Sequence, residues 1–257
     1  MNTTILPLAA TQTRAHERLS DRYGFAPTSE IISAMESQDW VVTAASSARV
    51  RDPGRDGYQR HLLRFAHRSQ LETSKLERIE TVLINSHDGT SSLQLGAGVF
   101  RFACANGIVI ADSTVAGIRL GHHRLTMDKV LSSAETILGQ AERVTEVIGT
   151  WRDTPVSAED ALHLAEQGIV LRWGSVNDAP ITPHDVLTVR RAADAGNDLW
   201  TVFNRTQESI LRGELSATRY RSNGRRYRAP AGVRSLTETV RLNKGLWEVA
   251  SQIALQA

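Results

Sequence analysis

His87 and Asp88 stand side by side in Asn85-Ser86-His87-Asp88-Gly89-Thr90, an imidazole next to a carboxylate in a stretch that reads as a hairpin turn. Such a pair could ligate a divalent metal, or the carboxylate could orient the imidazole as a general base. Turn chemistry alone also accounts for Asp88-Gly89, because a tight type I′ turn asks for those residue types. His122 and His123 follow the last expected strand. Neighbours in a strand face opposite ways, so at most one of the two would join His87 and Asp88 in a His/carboxylate metal set. Cys104, the only cysteine, precedes Asn106-Gly107 at the end of an apolar run. A nucleophilic thiol there would need an activating base, and a buried inert thiol is the commoner state. Leu95-Gly96-Ala97-Gly98 leads into a strand and not a helix, so it is no phosphate-cradling fingerprint.

A different chemistry is concentrated in SATRYRSNGRRYRAPAG, residues 216–232. Arg219, Arg221, Arg225, Arg226 and Arg228 alternate there with Tyr220 and Tyr227, and no acid interrupts the run from Thr218 to Ser235. Guanidinium groups pair with phosphates, and tyrosine rings offer faces to unstacked bases. The competing reading is a solvated, partly disordered loop whose charge serves solubility.

The elements that must position these groups change character along the chain. Residues 1–26 lack periodicity and read as an N-terminal arm. Pro27-Thr28-Ser29-Glu30 signals a helix start, with Thr28 or Ser29 as N-cap. β-type runs follow at Trp40–Val50, Arg60–His67, Ile79–Asn85, Ser91–Leu95, Val99–Cys104, Ile108–Ala111 and Val115–Leu120. From Met127 to Ile148 apolar residues recur at helical spacing, which predicts one long helix. Further helices are expected at Ser157–Gln167, Thr182–Arg191, Asp198–Arg212 and Ser235–Leu255. Strands first and helices after predict an α+β fold, an antiparallel β-meander sheet backed by a long helix with a helical C-terminal half. We expect a single domain over residues 27–257, mainly β over 27–125 and mainly α over 126–257, with the basic insert at 216–232.

The 257 residues are 41% hydrophobic and 23% charged, an ordinary globular balance, and the formal charge of +2 excludes a histone-like polycation. The charge is uneven: Arg190 to Lys244 holds twelve Arg or Lys against five Asp or Glu. One cysteine makes no intramolecular disulfide, and no window approaches a membrane span. We therefore expect a cytoplasmic location and no membrane partner.

Several separated blocks carry a resemblance. They are Pro27-Thr28-Ser29-Glu30, the run from Asn85 to Thr90, Arg101-Phe102-Ala103-Cys104-Ala105-Asn106-Gly107, Leu199-Trp200-Thr201-Val202-Phe203-Asn204 with Gln207-Glu208, and Val240 to Trp247. Together they resemble the phage/plasmid-like proteins of domain-of-unknown-function family 932, from about Pro27 to the C-terminus. Members often place Thr beside the Asn of the Cys-Asn block, where this chain has Gly107. The resemblance implies carriage on plasmids, prophages or integrated elements, and it implies no particular reaction.

The resulting expectation is a non-enzymatic binder of nucleic acid, single-stranded DNA above all, in DNA maintenance or recombination of a mobile element. Its contacts would come from Arg219, Tyr220, Arg221, Arg225, Arg226, Tyr227 and Arg228. One alternative is a metal-dependent hydrolase or nuclease using His87 and Asp88 with His122 or His123. Another is a protein-binding antagonist of host defence. No cofactor is expected; a divalent metal enters only with the hydrolase reading. A homo-oligomer is expected, because Ser235–Leu255 has more apolar positions, Trp247 among them, than a peripheral helix needs.

Overall fold

The computed structural model describes residues 4–20, 22–71, 77–101, 108–109, 118–120, 126–139, 141–213, 215–221 and 223–257. They fall into two compact units, one of Met1–Ala103 with Ser113–Glu142 and one of Cys104–Asp112 with Arg143–Ala257. The fold is α+β, with an antiparallel sheet early in the chain and helices in the C-terminal half.

In the first unit, helix α1 (Thr28–Glu36) precedes strands β1 (Trp40–Ser47) and β2 (His61–His67), the one-turn helix α2 (Arg68–Leu71), and strands β3 (Glu77–Asn85) and β4 (Leu93–Arg101). The four strands pair antiparallel in chain order, the expected meander. Leu62, Val82 and Ile84 are buried, and so are Leu63, Phe65 and Leu83 on alternating positions, so the sheet centre is covered on both faces. Leu93 to Arg101 is one strand and not two. Gly96 and Gly98 sit mid-strand opposite Val82 and Glu80, because β3 runs past them without a break and pairs with every position of the ladder. Of the later strand runs, Ile108–Val109 is β5, in the second unit, and Ile118–Leu120 is β6, antiparallel to β4.

Helix α3 (Met127–Gly139) packs on β3, β4 and α1 through a stripe of Val130, Ala134 and Ile137. Its described residues end at Gly139, residue 140 lies outside the described residues, and α4 (Ala141–Asp153) covers the rest of the stretch with helical periodicity.

In the second unit, α5 (Ala158–Trp173), the short α6 (Pro183–Val186), α7 (Leu199–Arg212) and α8 (Leu236–Gln256) surround a core of aromatic rings. Trp151 of α4 meets Trp247 at 4.4 Å and Phe203 at 5.4 Å between ring centroids. Leu242, Leu246, Trp247, Ala250 and Ile253 of α8 are all buried inside this unit, so the apolar excess of that helix is used within the chain. Asp198 and Ser235, the first residues of the two expected ranges, cap α7 and α8. Among the described residues no helix is long and apolar enough to cross a membrane.

Candidate functional site

His87 does not stand at an exposed hairpin tip. The segment between β3 and β4 lies under the N-terminal arm: the His87 N–H donates to Tyr58 O at 2.8 Å, and its carbonyl accepts from the His16 N–H at 2.9 Å. Tyr23 Oη donates to Ser86 O at 2.9 Å, and Phe25 packs edge-on against the His87 ring at 4.8 Å. Burial first, and then the nearby Asp88 charge, push the Tyr23 hydroxyl up to about 12.

The imidazole faces inward, into a cluster of fully buried groups: His61, His87, Thr28 and Asn85 are all 0% exposed. One hydroxyl is its hub. Thr28 Oγ1 lies 2.8 Å from His61 Nε2, 3.2 Å from His87 Nε2 and 3.0 Å from Asn85 Nδ2. The partners dictate where the protons are. His61 Nδ1 faces the Gln59 carbonyl at 3.1 Å and must donate, so in the neutral ring Nε2 is bare and accepts the Thr28 O–H. The Thr28 oxygen then accepts from Asn85 Nδ2 and from His87 Nε2–H. Burial pushes the His61 pKa below its ordinary value, against the pull of the Gln59 carbonyl and the Asp88 charge, and so favours this neutral ring.

Asp88 goes elsewhere. One carboxylate oxygen pairs with Arg55 at 2.8 Å; the other accepts from the Thr90 N–H at 3.1 Å and the Thr90 hydroxyl at 2.5 Å. Burial works against its charge, but these hydrogen bonds and the guanidinium outweigh it and hold the carboxyl below the usual range. A metal at His87 and Asp88 would have to displace Thr28, Arg55 and Thr90. Among the described residues no three His, Cys, Asp or Glu side chains stand close enough to share a metal ion. His122, His123 and Cys104 lie outside the described residues.

The described residues of the basic insert form a hairpin. Tyr220 and Arg226 form an antiparallel bridge, flanked by Arg221 N–H to Arg225 O at 2.8 Å and Tyr227 N–H to Arg219 O at 3.0 Å. Gly224, with φ +75, donates its N–H to Arg221 O at 2.9 Å across the turn. The hairpin is cinched at its root, where Val233 N–H donates to Leu211 O at 2.7 Å. Gly213 there, at φ +72, leaves no space for a side chain: a Cβ would lie 2.3 Å from Pro230 O. Thr218 ties the root to Asp185 Oδ2 at 2.6 Å.

The five arginines divide by task. Arg219 donates to Val176 O, and Arg226 Nε donates to Ala217 O at 2.7 Å, so both brace the hairpin. The Arg221 guanidinium lies 5.0 Å from the centre of the Tyr227 ring. Arg225 and Arg228 are exposed, and among the described residues neither forms an ion pair. Tyr220 is 65% exposed.

The family model described as Domain of unknown function (DUF932) matches residues 15–247. The chain belongs to this family. It is 34% identical to "UPF0380 protein YafZ" of Escherichia coli (strain K12) over 243 residues, 94% of this chain and 86% of that protein. It is 33% identical to "UPF0380 protein YfjQ" of the same organism over 241 residues, with the same shares covered. No solved structure matches the chain. The span matched to the family includes both the histidine cluster and the whole hairpin.

Two polar centres were not singled out in the sequence. Thr28, expected as a helix cap, is instead the hub of the histidine cluster, while α1 starts after Pro27 with no side-chain cap. The signal for His61 lay in strand register, since it stands directly opposite Asn85. The second centre is Glu208, whose side chain is 5% exposed and meets Arg212 at 3.2 Å, Arg190 at 3.8 Å, and Arg191. Three guanidiniums on one buried carboxylate hold the C-terminal end of α7, where the hairpin begins.

Proposed function

We propose that this family member binds nucleic acid through the Arg/Tyr hairpin, in DNA maintenance or recombination of a mobile element. The observation that supports the reading is a hairpin presenting Arg225 and Arg228 to solvent in a stretch without a single acid. A hairpin tied at its root by Thr218 to Asp185 and by Val233 to Leu211 limits the entropy lost when guanidiniums engage phosphates. The His61–Thr28–His87 cluster is fully buried and offers no comparable solvent-facing chemistry.

The test replaces Arg225 and Arg228 together with Ala and leaves the bracing Arg219 and Arg226 in place. Binding of a labelled single-stranded oligonucleotide is followed by fluorescence anisotropy across a KCl series. Each phosphate neutralised on a single strand adds about 0.7 to the log–log salt slope, so the double variant should bind more weakly with a slope flatter by about 1.4. Wild-type affinity and slope in that variant would refute the hairpin as the binding element.

A further inference from the structure

We infer that the hairpin distinguishes unpaired from paired strands, and that Tyr220 is the group that does so; this rests on the reading of the hairpin as a nucleic-acid contact. The bonds flanking the Tyr220–Arg226 bridge run from Arg221 to Arg225 and from Tyr227 to Arg219. That pattern is an antiparallel pair whose two bridge residues do not bond each other, the closely spaced kind in which side chains on one face sit nearest. Tyr220 and Arg226 therefore share a face, and the period-two alternation puts Arg228 on it as well. Arg219, Arg221, Arg225 and Tyr227 share the other.

The two faces are unequal. On the second, Arg221 already covers the Tyr227 ring. On the first, Tyr220 is 65% exposed, on the face it shares with Arg226 and Arg228. A free aromatic face next to arginines suits one unstacked base with its phosphate. In a duplex the base faces are already stacked on one another, so only the phosphates remain to contact. The Tyr220 face thus has a partner in single strands that duplex lacks, while the exposed arginines serve both.

The test is Tyr220→Leu, which keeps apolar bulk at an exposed position and removes the π face. Wild type and variant are titrated with fluorescein-labelled oligothymidylate of twenty nucleotides and with a duplex of equal length, each across a KCl series. Loss of one base–aromatic stack, worth roughly 1–3 kcal/mol, should weaken oligothymidylate binding about 5- to 150-fold. The salt slope should stay unchanged, because stacking releases few counterions. Duplex affinity should not move. Arg228→Ala, in contrast, should weaken both and flatten the single-strand slope by about 0.7. Equal oligothymidylate affinity in Tyr220→Leu and wild type would overturn the role of Tyr220; if the arginine variants still lowered affinity, nucleic-acid binding by the hairpin would stand. Wild type binding neither probe would overturn both.

Discussion

Replacing Thr28 with Val should destabilise the first unit far more than its small change in shape suggests. Valine fills nearly the same volume, so little cavity is left, and the loss is almost wholly the hydroxyl. That hydroxyl donates to His61 Nε2 at 2.8 Å and accepts from Asn85 Nδ2 and His87 Nε2 at 3.0 and 3.2 Å, all at residues with 0% exposure. Asn85 keeps its bond to Ala26 O at 3.1 Å. Each ring nitrogen loses this partner out of reach of bulk water, at about 1–3 kcal/mol apiece, so the variant should lose about 2–6 kcal/mol. Thr28→Ser keeps the hydroxyl and gives up one methyl, worth about 1 kcal/mol. Native-state hydrogen exchange of the β2 and β3 amides reads the loss in this unit directly, with urea denaturation as the global measure. A Val variant as stable as the Ser variant would show that the hydroxyl is not the hub.

The same cluster sets a pH dependence. The folded His61 pKa lies below its ordinary value, so below about pH 6.5 the unfolded chain takes up a proton that the folded protein refuses. Stability should be level above pH 7 and fall by up to about 1.4 kcal/mol per pH unit below 6.5, until the folded value is reached. Urea midpoints at pH 7.5, 6.5 and 5.5 check this, and a flat series would refute it. In the second unit, Glu208→Gln leaves Arg190, Arg191 and Arg212 around a neutral group and should cost about 3–5 kcal/mol. Thermal unfolding measures it; a loss below 1 kcal/mol would mean that the guanidiniums find other partners.

What was legible in the sequence was periodicity. The alternating runs gave β1 to β3 nearly to their ends, and Asp198 and Ser235 marked the starts of α7 and α8 through cap chemistry that acts within one turn. What was hidden depended on contacts distant in sequence. Gly96 and Gly98 look like a turn until β3 is laid against them. Trp247 looks like excess apolar surface until Trp151 and Phe203 are seen to close around it. Thr28 bears the local mark of a cap, yet partners 33 and 59 residues away claim its hydroxyl.

The same distinction explains why the two candidate sites fared differently. His87-Asp88 is adjacent in sequence, but a carboxylate and an imidazole on neighbouring residues take separate surroundings, and here one meets Arg55 and Thr90 while the other meets Thr28. The Arg/Tyr insert is a local structure, so its composition and geometry are read from one stretch of chain. Even so, composition counts five arginines as equals, whereas the hairpin keeps Arg219 and Arg226 for its own carbonyls and Arg221 for Tyr227. On the proposed nucleic-acid reading, the side chains left over for a partner once the hairpin has made its own contacts are Tyr220, Arg225 and Arg228.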